Sequence, residues 1–135
     1  MSGKELLRAA AAARENAYAP YSGFAVGAAL LGESGRLYTG CNVENAAFTP
    51  TCCAERVALF HAVAEGERAF SAIAVVGGPA GSMPRRPCPP CGVCRQALSE
   101  FSPDGALAIW LGDENAPQAH TLSDLLPFSF GQADL

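Results

Sequence analysis

Apolar positions recur at helical spacing from Lys4 to Tyr18, with Leu6, Leu7, Ala10, Ala13 and Ala17 on one side and Lys4, Glu5, Arg8, Arg14 and Glu15 elsewhere. Pro20 closes that segment and Ser22–Gly23 predicts a turn. Phe24 to Leu31 is an apolar run of strand length, and Gly32–Gly35 turns it into a second strand over Arg36–Cys41. Cys53 to Ala64 reads as a helix, with Val57, Phe60 and Val63 available for its buried stripe and Gly66 beyond its end. Phe70 to Val76 has the β-branched, apolar character of a buried strand. The next stretch, Gly77–Pro90, holds five prolines and three glycines and predicts a loop. Cys91 to Phe101 predicts a further helix, Ala106 to Leu111 a further strand, and Thr121 to Leu126 a short helix stopped by Pro127. Helices alternate with strands, so the chain predicts an α/β sandwich with a mixed sheet. No repeat or linker divides it, and residues 1–135 are expected to form one domain.

Composition narrows the picture. Half of the 135 residues are hydrophobic and 16% are charged, which excludes a disordered chain. Net charge is −4 and the basic residues are scattered, with no run longer than Arg85–Arg86. A nucleic-acid footprint is therefore not expected. Apolar runs fall short of the ~18 residues of a membrane span, and the N-terminal alanines are broken by charge, unlike a signal peptide. The expectation is a soluble, cytoplasmic protein.

In such a chain six cysteines need a reason: Cys41, Cys52, Cys53, Cys88, Cys91 and Cys94. Clustered at short spacing in a reducing compartment, they point to a metal or to catalysis rather than to disulfides. Two segments matter, Thr51 to Arg56 and Pro87 to Gln96. Each joins a proline-containing loop to a predicted helix, where unpaired N–H groups and the helix dipole favour a thiolate. Of the overlapping pairs Cys88/Cys91 and Cys91/Cys94, the second is preferred. Cys91 and Cys94 fall at i and i+3 on a first helical turn, whereas Pro89 and Pro90 hold Cys88 away in extended chain. Cys53 is the natural third ligand because it shares a helix start with Glu55. Three sulfurs with an open fourth position describe a catalytic zinc, and a carboxylate beside it that is not a ligand is the proton acceptor such a site requires. Three thiolates leave the zinc site at a net charge of about −1, which gives the adjacent Arg56 a role in offsetting it. His61 lies two turns beyond Cys53, too far along the helix to share its metal, and His120 falls in a polar segment; both are expected at the surface.

The pairing of Cys53-Ala54-Glu55 with Pro90-Cys91-Gly92-Val93-Cys94 is the ligand-x-Glu and P-C-x-x-C pattern of zinc nucleobase deaminases. With the stretches Ala19 to Leu30, Gly40 to Ala47, Cys53 to Arg56, Pro90 to Gln96 and Leu125-Leu126-Pro127, the chain resembles the small, homotetrameric cytidine deaminases over nearly its whole length. The resemblance implies a three-layer α/β/α sandwich around a five-stranded mixed sheet and one Zn²⁺ per subunit. It implies hydrolysis of cytidine and 2'-deoxycytidine to uridine and 2'-deoxyuridine plus ammonia, in pyrimidine salvage. Glu55 would take the proton of the attacking water, pass it to ring N3 and later protonate the departing ammonia. Arg56 would hydrogen-bond the zinc thiolates. Asn42 and Glu44 would bind the sugar, Phe24 would lie against the pyrimidine, and the Ala54 backbone would contact the base. Phe130 would stack on it from a neighbouring subunit, with Phe128 as its competitor. Phe48 stands where such proteins commonly carry tyrosine, which removes a hydroxyl at the edge of the site. Two rival readings are a deaminase of the same fold acting on a modified or antibiotic cytosine nucleoside, and a structural zinc module with Cys52 or Cys88 as fourth ligand. The latter leaves Glu55 without a task.

Overall fold

The computed structural model describes residues 1–84 and 86–135; Arg85, half of the Arg85–Arg86 pair, lies outside the described residues. Helix α1 runs from Gly3 to Arg14, and the Ser2 side chain caps it by accepting the Glu5 N–H. It stops four residues short of Tyr18, whose backbone leaves to pair with Val43. Arg14 is not on the polar face. It is buried, and its guanidinium donates to the carbonyls of Ala25 (2.8 Å), Gly78 (3.0 Å) and Pro79 (2.7 Å). Periodicity could not show this, because the long stem lies along the last turn while the head reaches the ends of two strands.

Five strands follow: β1 (Phe24–Gly32), β2 (Leu37–Cys41), β3 (Phe70–Pro79), β4 (Ala108–Asp113) and β5 (Ala116–Thr121). They form one sheet in the order β2-β1-β3-β4-β5. Among the described strands only the β3/β4 pair is parallel, so the sheet is mixed as expected. Strand β3 extends three residues into the glycine- and proline-rich stretch read as loop. Strand β5 has no counterpart in the hydrophobic pattern. Its first four residues are exposed and it contains Pro117, so it is an edge strand held by main-chain pairing to β4. That pairing also places His120 on a strand opposite Ile109, half-buried, rather than in a loop.

Alternate residues of the sheet feed two cores. Ala29, Ala72, Ala74 and Val76 pack under Leu6, Leu7 and Ala10 of α1. Leu30, Ile73, Val75 and Ile109 face α2 (Ala54–Ala64) and α3 (Gly92–Ser99) on the other side. The result is three layers. Helix α2 does not bury the stripe expected of it. Ala54, Ala58, Leu59 and Ala62 are inside, and Phe60 is 54% exposed. The cause is Gly40 on β2, over which α2 sits so closely that only its alanines fit. The short α4 (Leu122–Leu125) has a capping box made by Thr121 and Asp124. Among the described residues no helix is long and apolar enough to cross a membrane. Helices α2 and α3 both begin at the edge where β2 and β3 finish and β1 starts, and that edge holds the site.

Candidate active site

Cys53 is the N-cap residue of α2 and Cys91 that of α3, and neither side chain caps its helix. Cys94 is the third residue of α3 and points back to the same place. The sulfurs of Cys53, Cys91 and Cys94 lie within 4.8 Å of one another, and Cys53 Sγ stands 3.8 Å from Cys91 Sγ. Two thiolates bound tetrahedrally to zinc at ~2.3 Å would stand about 3.8 Å apart. The donor set therefore fits a zinc ion in both chemistry and span. Cys52 and Cys88 fall outside this cluster. Cys52 pairs through its backbone with Val43.

Charge at the centre is uneven. Cys94 donates a hydrogen bond to Cys53, and with Arg56 this brings the Cys53 thiol down to about 5. Cys94, holding its proton in that bond, is raised. Arg56 Nη2 donates to Cys53 Sγ at 3.5 Å, while its buried Nε finds no hydrogen-bond partner among the described residues. Glu55 is 4% exposed, and burial pushes its carboxyl up to about 7, with the Cys53 charge pushing the same way. A buried carboxyl tuned to neutrality, two residues from a metal ligand, is suited to moving protons in either direction.

In front of the cysteines lies a cavity of about 260 Å³ whose lining includes Phe24, Val26, Glu55 and the Cys53/Cys91 pair. Ser22, Asn42 and Glu44 also line it. Strand β2 ends before Asn42, yet Asn42 and Glu44 still face the same cavity. Both are held from behind. The Asn42 amide accepts from the Val26 N–H and donates to the Phe24 carbonyl, each at 2.8 Å, which leaves one N–H and one lone pair free. Glu44 accepts from the Ser22 hydroxyl and from the Tyr21 and Ser22 N–H groups, and these bonds hold its carboxyl below the ordinary carboxylate range. Ser22 is thus a positioning residue that spacing alone did not mark. Ala54 is fully buried, on the helix turn between Cys53 and Glu55.

Phe130 is not brought to the cavity of its own chain. It is 60% exposed, and its carbonyl is held by the Gln96 side chain. Phe128 is fully exposed with φ 52°, and Phe48, 70% exposed with φ 60°, stands edge-on to Tyr21 beside Glu44. Cys88, without a role in the sequence reading, forms part of the cavity wall, and burial pushes its thiol up to about 11. Arg95, also overlooked, ties the start of α3 to the C-terminal segment through the Pro90 and Leu125 carbonyls. His61 sits at the surface, edge-on to the Tyr38 ring, and His120 likewise stays out of the cysteine cluster.

The family model for the cytidine and deoxycytidylate deaminase zinc-binding region matches residues 1–108. The chain belongs to that family. It is 45% identical to a cytidine deaminase of Sporosarcina psychrophila, over the whole of this chain and 96% of that protein. It is 46% identical to one from Halalkalibacterium halodurans, with 98% of that protein covered. A crystal structure of cytidine deaminase from Burkholderia pseudomallei superposes with a TM-score of 0.85 at 47% identity, covering 96% of this chain and all of that one. The cytidine deaminase structure from Mycobacterium tuberculosis gives 0.80 at 40%, covering 97% and 98%. The three-layer fold and the zinc-binding chemistry are those of this deaminase family, and it is a family of enzymes.

Proposed function

We propose that this chain is a cytidine deaminase that hydrolyses cytidine and 2'-deoxycytidine to the uridines and ammonia. The observation that carries the reading is Glu55, a buried carboxyl near neutrality that lines the same cavity as Cys53 and Cys91 yet is not part of the three-cysteine cluster. When bound by Cys53, Cys91 and Cys94, zinc supplies Lewis acidity that makes water a nucleophile near neutral pH. The rest belongs to the chain. Glu55 takes a proton from the attacking water, delivers it to ring N3, and later protonates the departing amine. One carboxyl serves each step because it ends the cycle as it began. Arg56 offsets the charge of the thiolates. Glu44 and the free half of the Asn42 amide hold sugar hydroxyls, the Phe24 ring lies against the pyrimidine, and the Ala54 backbone meets the base. One cavity is lined by Asn42 and Glu44 as well as by Cys53, Cys91 and Glu55, so it offers partners for both the sugar and the base of a nucleoside.

The reading includes a homotetramer in which Phe130 of a neighbouring subunit closes the cavity. The exposed rings of Tyr21, Phe48, Phe128 and Phe130 support an assembly that covers them. It also places the enzyme in the cytoplasm and in pyrimidine salvage; six free cysteines suit a reducing compartment. The test is Glu55→Gln. Zinc content should stay at one per chain while cytidine turnover falls by at least ~10²-fold. Surviving turnover overturns the mechanism.

A further inference from the structure

Past α4 the chain runs without regular structure. Residues 126–131 form neither helix nor strand, and Pro127, Phe128 and Phe130 are exposed. An exposed tail of this kind frays unless something ties it down. Here the ties come from one place. Arg95 Nη1 donates to the Leu125 carbonyl at 2.6 Å, Gln96 Nε2 donates to the Phe130 carbonyl at 2.9 Å, and the Gln132 side chain donates to the Glu100 carboxylate. Arg95 and Gln96 lie in α3, and Glu100 is its C-cap residue. Among the described residues no other element hydrogen-bonds the chain from Pro127 onwards.

Helix α3 is also the helix that brings two of the three cysteines, Cys91 at its N-cap and Cys94 in its first turn. The Arg95 N–H donates to the Cys91 carbonyl at 2.9 Å, and its guanidinium donates to the Pro90 carbonyl at 2.7 Å. One side chain therefore joins the loop that delivers Cys91 to the start of the tail. Gln96, the next residue, fixes the tail five residues further on. The two exposed phenylalanines differ in this respect. Phe130 is pinned through its own carbonyl, whereas Phe128, at φ 52°, has no such bond among the described residues. A ring on pinned backbone can be aimed at a target; a ring on an untied turn cannot.

We propose that Gln96, with Arg95 behind it, is a positioning residue that sets the angle at which Phe130 enters a neighbouring subunit's site. The inference rests on the cytidine deaminase reading with a shared Phe130, and it deepens that reading. It selects Phe130 over Phe128 as the stacking ring. It also makes α3 serve two sites at once, carrying metal ligands for its own subunit and the ring for the next.

The test is Gln96→Ala in the zinc-loaded protein; Gln96 is exposed, so the core is untouched. Loss of an aimed aromatic ring over a base should raise the KM for cytidine about 5- to 20-fold, with kcat changed less than about threefold and zinc kept at one per chain. A mixed assembly separates action within a subunit from action across two. Gln96→Ala chains are coexpressed with about a tenfold excess of Glu55→Gln chains, whose own sites are dead and whose tails are intact. Most live sites then receive Phe130 from an intact tail, and their KM should return to within about twofold of wild type. An unchanged KM in Gln96→Ala overturns the proposal. So does a raised KM that the mixed assembly does not restore, because Gln96 would then act on its own site. Zinc loss that tracks the loss of activity overturns it too, since Gln96 would be acting through the metal. If the wild-type protein leaves cytidine untouched, the deaminase reading fails first.

Discussion

Gly40→Ala is the smallest change that should separate a folded protein from an active one. A Cβ at Gly40 would stand 2.5 Å from the Ala58 nitrogen, 2.6 Å from the Ala54 carbonyl oxygen and 3.1 Å from the Ala58 Cα. Ordinary contact begins near 3.4 Å, so the first of these is short by about 0.9 Å. All three are helix backbone and cannot rotate away, so α2 must lift from β2 or β2 must sag. Overpacking of this kind costs about 1–3 kcal/mol, which a domain with a typical margin of about 5–15 kcal/mol survives. Helix α2 begins at Cys53 and carries Glu55 in its first turn, so its lift moves ligand and proton carrier together relative to α3. A displacement near 1 Å at reacting groups can cost about 10²-fold in rate. The assay is kcat and KM for cytidine on protein shown to be fully folded by urea titration and zinc-loaded by metal analysis. The expectation is a stability loss in that range and a kcat loss of about 10²-fold. Wild-type kcat in a destabilised but folded variant would refute the argument that α2 transmits the shift to the site.

Three further outcomes follow from the charges. Burial raises Glu55 from 4.5 to about 7, so the folded chain holds its proton more tightly than the unfolded chain does. Stability of the zinc-free protein should therefore fall as pH rises from about 4.5 to 7 and level off above. At ~1.4 kcal/mol per pKa unit the full penalty is about 3 kcal/mol; Glu55→Gln should recover it at pH 8 and nothing at pH 4, and equal urea midpoints at pH 8 would contradict this. Arg56→Gln should move formation of the Cys53 thiolate upwards from about 5, read by thiolate absorbance in zinc-free protein. An unmoved titration would leave Arg56 no electrostatic part. Arg14→Met strips three carbonyls, two of them in buried bonds, of a charged donor and should lower stability by about 2–5 kcal/mol, checked by urea unfolding. A midpoint within ~0.5 kcal/mol of wild type would show that water replaces the guanidinium.

Elements that bury one face were legible from the residue pattern. α1, β1, β2, α2, β3, α3 and β4 lie within a few residues of where periodicity and turn residues put them. What escaped it depends on backbone rather than side-chain pattern. β5 belongs to the sheet through its main-chain ladder with β4 and shows water its side chains. The buried face of α2 was misjudged because a glycine on a distant strand decides which side can approach. At the site, the three cysteines and Glu55 could be read because metal ligation and helix starts impose spacing. Ser22, Cys88 and Arg95 could not, since each acts through a contact made by a loop or by residues far along the chain.

The two cysteine N-caps have a bearing on folding order. Most helices open on an oxygen-bearing side chain that satisfies a free N–H, an arrangement worth about 1 kcal/mol; α2 and α3 forgo it. Without metal no side chain closes the N-terminus of either helix, and Glu55 sits in one of those first turns. Zinc would then act as a shared clasp for two helix ends, and the arrival of the metal and the ordering of Glu55 would be one event.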